Sequence, residues 1–112
     1  MVRNLVEVPL ALLKQAKGGA DRTKAISDAK QCALAAIMFA ADNDDEMPKQ
    51  GDTEKLYPYL KNREIMSKFV YTFQGGNLSE LKNPESTEIG YVEGPGGRAV
   101  AYADGHVKWV PN

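Results

Sequence analysis

Cysteine, histidine and a surplus of charge of either sign are what this chain lacks. Among 112 residues there is one cysteine and one histidine. The single thiol, Cys32, excludes an internal disulfide, and its apolar helical surroundings read as those of a buried, inert group. The single imidazole, His106, excludes a His-pair metal site and any relay between two histidines. The 14 basic and 15 acidic side chains nearly cancel and are scattered, so no electrostatic footprint for nucleic acid is present. No run reaches the ~18 apolar residues that a membrane span needs. The longest early candidate, residues 5–13, is interrupted by Glu7 and Pro9. With a lone Arg3 and no small-residue cleavage site it does not read as a signal peptide. The chain as written reads as one soluble domain over residues 1–112.

What is present is patterned. Residues 5–16 are apolar and helix-compatible, with Pro9 marking a start or a kink. Gly18-Gly19 is expected to interrupt them, leaving residues 1–20 as a helix remnant or flexible lead. Asp21 then caps a main helix over 21–41. Ile26, Ala29, Ala33, Ala36 or Ile37, and Ala40 recur at spacings of three and four. That is one alanine-rich face, able to approach a partner layer closely. Asp42 to Glu46 end the helix as an acidic turn, and Asp52 is expected to cap a short helix through Leu60, limited by Pro58. Residues 68–73 and 87–92 read as strands, with Asn77 and Glu80 between them as a capping box around a single helical turn. Gly94-Pro95-Gly96-Gly97 reads as a flexible connection into a final hairpin over 99–110.

That hairpin carries the strongest local signal. Asp104-Gly105 lies between runs rich in Val, Tyr and Trp, the pattern of a two-residue type I′ turn with positive φ at both centres. Val100, Tyr102, Val107 and Trp109 alternate and are expected to form one apolar core row. His106 and Lys108 then face the other way, and Pro111 ends the ladder. The fold class is α+β: a long N-terminal helix packed on a small antiparallel sheet occupying residues 68–110.

Candidate sites are few. An EF-hand loop opening at Asp42 would need Gly sixth and Glu twelfth, where Met47 and Thr53 stand. Asp42, Asp44, Asp45 and Glu46 remain as weak calcium ligands, against a bland reading as a solvated helix stop. Glu85, Glu88, Glu93 and Asp104 are too separated to converge on a hard cation. Ser27, Ser67, Ser79 and Ser86 stand in no nucleophile-elbow context. Gly94 to Gly97 precede a strand, not a helix, and make a poor phosphate cradle. No constellation for catalysis is found.

Several segments occur in an order that resembles the pseudopilins of bacterial type II secretion. The resemblance is to pilin-like proteins associated with prepilin-type processing, which end in an Asp-Gly-His-Val hairpin. Here that segment is Val100-Ala101-Tyr102-Ala103-Asp104-Gly105-His106-Val107. Asp28 to Ala35, Met38 to Asn43, Leu56-Tyr57-Pro58-Tyr59-Leu60, Phe69-Val70-Tyr71 and Leu78 to Pro84 are similar to further family segments, in the family's order. The similarity covers most of the chain from about Pro9.

Two departures limit it. The family often carries a histidine ten positions before the Asp, and Gly94 stands there, so no role for that histidine transfers. The family also begins with a basic leader, a processing-site glutamate and a long apolar anchor helix. Residues 9–17 are similar only to the end of that helix, and Glu7 is not equated with the processing-site glutamate. The chain is thus expected to be a truncated head or a relative without its anchor.

The resemblance implies a non-enzymatic structural subunit in the periplasm or cell envelope, membrane-anchored at full length. Its partners would be other pilin-like subunits or secretion machinery, with self-association open, and its need for no cofactor would leave calcium as the one candidate. Tyr57 and Tyr59 could serve subunit contacts, with core packing the plainer use. The alternative is a stand-alone soluble binding module of the same fold without a filament role.

Overall fold

The computed structural model describes residues 10–112, with side chains from Arg22 onward. Helix α1 (Leu10–Asp42) is continuous. It runs through Gly18-Gly19, so these do not interrupt it, and Asp21 lies inside it rather than at its cap. Two adjacent glycines cost a helix interior about 2 kcal/mol relative to alanine, which a long flanking helix can absorb. The expectation for residues 5–9 lies outside the described residues.

Ala25, Ala29, Ala33, Ala36 and Ala40 are all buried, spaced by three and four as the sequence pattern requires, with buried Cys32 beside Ala33. Small side chains along this row let the helix axis lie close to the sheet. The helix stops where Asp44 and Asp45 adopt φ of 55° and 66°. The Asp45 N–H closes a six-to-one bond of 2.7 Å to the Ala40 carbonyl, the Schellman arrangement with aspartate in the left-handed place usually taken by glycine.

After α1, strand β1 (Glu46–Met47) enters a loop in which buried Pro48 presents its carbonyl to the Tyr71 hydroxyl, which donates at 2.6 Å. A 3₁₀ turn, Thr53–Leu56, runs directly into α2 (Tyr57–Leu60). Asp52 precedes that turn but makes no side-chain cap bond; its carboxylate faces Lys55 at 3.5 Å instead. Pro58 lies in the first turn of α2 and so helps to start it rather than limiting it. Helix α3 (Arg63–Lys68) was not foreshadowed; Asn62 caps it by accepting the Ile65 N–H at 3.0 Å.

The chain then builds β2 (Phe69–Tyr71), β3 (Gly76–Asn77), β4 (Glu88–Gly94), β5 (Gly97–Tyr102) and β6 (Val107–Pro111). β2, β4, β5 and β6 form one four-stranded antiparallel sheet in the order β2-β4-β5-β6, while β1 and β3 make a separate two-stranded ladder. Asn77 caps the 3₁₀ turn Leu78–Glu80 by accepting from Ser79 N at 3.0 Å. The cap is therefore real, although its partner lies two residues on, not three. Between β4 and β5 the expected flexible connection is a tight turn: Gly94 pairs with Gly97 across Pro95 and Gly96. Gly96 has φ +78°, as the residue after proline requires in a type II turn.

One face of the sheet packs on α1 through Phe69, Tyr71, Ile89, Val92, Ala99, Ala101 and Ala103, all buried. Among the described residues no helix is long and apolar enough to cross a membrane.

The final hairpin departs from expectation in one step that has large consequences. Gly105 has φ +96°, but Asp104 is not among the residues with positive φ, so the turn is not type I′. Gly105 N donates to Tyr102 O and Tyr102 N to His106 O, both at 2.9 Å. The connection is thus three residues, Ala103 to Gly105, a type I turn closed by a left-handed glycine. Adding one residue to the loop shifts the register by one and turns one strand over relative to the other. Ala99 lies opposite Trp109 and Ala101 opposite Val107, whereas Val100 lies opposite Lys108. Val107 and Trp109 therefore share the α1 side with the alanines. Val100 and Tyr102 occupy the outer face, and the single apolar row expected of these four residues does not form.

Candidate functional site

The Asp104-Gly105-His106 turn is held against α1. Lys30 Nζ donates to the Gly105 carbonyl at 2.6 Å, and a side chain placed on Gly105 would meet Ile37 Cδ1 at 3.1 Å and Leu34 Cδ2 at 3.8 Å. Asp104 accepts the His106 N–H at 3.1 Å and is also hydrogen-bonded with His106 Nδ1 at 2.5 Å. The imidazole lies flat on Tyr102, with ring centres 4.4 Å apart and planes 3° from parallel. A rigid Asp-Gly-His unit results, stapled to the helix by one lysine.

The His106 backbone N–H, and after it the imidazole, hold the Asp104 carboxyl below its ordinary value. A depressed carboxyl contributes stability above its unfolded pKa, and the contribution vanishes as pH falls through the folded value. We expect Asp104→Asn to lower the melting temperature at pH 7. The difference from the parent should shrink as pH falls below about 3.8, the unperturbed value; thermal scans from pH 7 to 2.5 measure it. Gly105→Val should destabilise by about 1–2 kcal/mol, because a β-branched residue resists φ +96°. Urea titrations should show this while Gly105→Asn stays closer to the parent.

Of the residues expected in the core row, Val100 is 2% exposed; Tyr102, Val107 and Trp109 are only partly buried. Trp109 packs beside Gly94 and Gly97 under the Arg22 guanidinium, 5.1 Å from its ring centre. On the outer face, Arg98 covers the ring of Tyr91 at 4.9 Å.

The acidic turn does not gather ligands. Asp42 accepts the Tyr59 hydroxyl at 2.7 Å. The bond and the neighbouring charge raise the Tyr59 pKa, and Tyr59 also meets Phe39 edge-on. The Asp44 carbonyl and the Glu46 carboxylate both accept from Asn77 Nδ2, at 3.0 and 3.2 Å, and Asp45 is committed to the helix stop. Among the described residues no three His, Cys, Asp or Glu side chains converge as a metal would require, those of the acidic turn included. Of the other acids, Glu88 accepts from Thr72 and Glu93 lines a separate cleft.

That cleft, of about 330 Å³, was missed by sequence reasoning. Its floor includes Asp28, 3% exposed, whose nearest cation is Lys24 Nζ at 3.4 Å, with Lys68 and Glu93 at the rim. The signal was present: Asp28 stands on the same helix face as Ala25, Ala29 and Cys32, where a polar residue is unusual. Burial, and after it the charge of Asp28, pushes the Cys32 thiol up to about 12, so the thiol is protonated and inert at neutral pH. Tyr57 lies under the Arg63 guanidinium at 4.1 Å.

A second, more apolar groove of about 500 Å³ runs between α1 and β6, lined among others by Ile26, Ser27, Gln31, His106 and Val107. Ser27 and His106 share this groove with no hydrogen bond between them. Ser67, Ser79 and Ser86 are spent on local bonds to Glu64 O, Asn77 Oδ1 and Asn83 O. Compared with protein-family models, with curated proteins and with solved structures, the chain matches none of them.

Proposed function

We propose that this chain is the non-enzymatic head of a pilin-like subunit and acts by assembly. The observation that carries the reading is the two-sided helix. One face of α1 is spent on its own sheet through alanines, while Leu34 and Met38, one turn apart, stay 44% and 45% exposed. Apolar side chains so exposed and so spaced suit contact with a neighbouring subunit. The molecule is elongated, 57 × 28 × 21 Å, and a 33-residue helix of about 50 Å accounts for most of that length. The tyrosine-proline-tyrosine segment and the Asp-Gly-His turn both dock on this helix, at Asp42 and Lys30, which gives the ordered segments of the resemblance a common scaffold. Localisation to the cell envelope, and partnership with other pilin-like subunits, follow from the same reading.

Cross-linking tests it. Because Cys32 is buried with a protonated thiol, single cysteines placed at Leu34 or Met38 would report without background. In secretion-competent bacteria we expect them to capture a pilin-like subunit, while a cysteine at exposed Glu54 captures none. Equal capture at all three positions, or none, would overturn the assembly role.

A stand-alone binding module is the second reading, favoured by the groove between α1 and β6. It needs no filament, and its occupant can be inferred separately.

A further inference from the structure

Strand β6 is an open edge of the sheet, paired on one side only. Which of its main-chain groups are free follows from two bonds. Tyr102 N donates to His106 O, and Asn112 N to Gly96 O, each at 2.9 Å. Bonded and non-bonded pairs alternate along an antiparallel ladder. Residues 106, 108, 110 and 112 therefore turn their N–H and C=O groups towards β5. Val107 and Trp109 point theirs outward, and Pro111 adds a carbonyl but no donor.

The side chains flanking this edge differ by face. On the α1 side are Val107 and Trp109, next to the groove that Ile26, Ser27 and Gln31 line. On the outer side are Lys108 and Val110, with Lys108 the one charged side chain of the strand; His106 borders the groove and holds the Asp104 carboxylate.

We propose that the β6 edge and the adjoining groove form a docking site for an extended acidic peptide of a partner protein, added as a fifth strand. The free groups of Val107 and Trp109 would bond its backbone. Its apolar side chains would enter the groove, and a carboxylate on the alternate face would lie across from Lys108. Charge disfavours a second copy of this chain as the occupant. The two-fold antiparallel register that uses all four free groups places Val107 against Trp109 of the other copy. The same register sets Lys108 directly opposite its own counterpart, a like-charge pair that opposes sheet formation. This docking is independent of any filament role.

The test uses the peptide acetyl-(Glu-Val)4-amide, with acetyl-(Lys-Val)4-amide as the control, and reads amide hydrogen exchange by NMR. The Glu-Val peptide should slow exchange at Val107 and Trp109, leaving the already bonded Lys108 and Val110 unchanged. The Lys-Val peptide should leave all four amides exchanging as in the free protein. Lys108→Glu, an exposed change that leaves the core intact, should weaken the Glu-Val peptide about fivefold or more. Added N-methyl groups on alternate peptide amides should abolish the protection. Binding that is equal for both peptides, absent at millimolar concentration, or without new protection at Val107 and Trp109 would overturn the proposal. Protection that grows with protein concentration alone, with a dimer in sedimentation, would assign the edge to a second copy instead.

Discussion

Gly97→Ala is expected to cost about 3 kcal/mol and to lower the melting temperature by roughly 10 °C or more. A methyl group there would stand 2.4 Å from the Val110 carbonyl oxygen, 2.8 Å from Trp109 Cζ2 and 2.9 Å from Pro111 Cα. Two of these three atoms are backbone, so relief requires β5 and β6 to separate where Gly97 pairs with Pro111. Gly96 is the control. It has open space around it and only the positive φ to satisfy. Asparagine, which tolerates the left-handed region, should be accepted at Gly96 within about 1 kcal/mol. At Gly97 it should be as damaging as alanine. Equal effects at the two positions would mean that the strands are not in contact as described.

The contrast shows what kind of information the chain displays openly. Gly94-Pro95-Gly96-Gly97 announces a turn, but its three glycines look alike. Only the fold separates the one needed for its φ from the one needed for strand approach. The terminal hairpin teaches the same lesson more sharply. Two strands around Asp104-Gly105 were legible, and so was the need for a left-handed glycine. A two-residue and a three-residue loop are written with nearly the same residues, however, and differ by the φ of Asp104. That single dihedral decides whether Val100 and Tyr102 face α1 or the opposite side. Loop type is settled by what the helix demands of the sheet: alanines at 99, 101 and 103 fit beneath α1, where Val100 and Tyr102 would force it away. Register was thus a tertiary decision.

The α1 face was readable because its period extends over about four turns. The Gly18-Gly19 interruption was over-read, since helix length outweighs a local penalty. Asp28 was legible as an anomaly and was passed over because its neighbours at 24 and 32 gave it no motif. The acidic turn was legible as a helix stop. Its hydrogen bonds to Tyr59 and Asn77 were not legible, because these partners stand 17 and 33 residues along the chain from the groups they meet.

The same alanine face gives the second large effect. Ala33 is fully buried and belongs to the cluster that joins α1 to Val92, Ala99 and Ala101. Leucine adds three heavy atoms where close packing leaves no void to hold them. The helix must then lift from the sheet or the leucine must leave its preferred rotamer, and either costs about 3 kcal/mol. Lifting α1 also strains the Lys30 bond to Gly105, so the Asp-Gly-His turn should loosen together with the core. Ala33→Leu should therefore speed amide exchange at Gly105 and His106, which are distant in sequence, as well as lowering the urea midpoint. Leu34→Ala, one residue away but 44% exposed, should change stability by less than about 1 kcal/mol. If Ala33→Leu were neutral, the helix would not be in close contact with the sheet. If Leu34→Ala were the more costly of the two, the apolar flank would belong to this domain's own core, and the surface proposed for assembly would be lost.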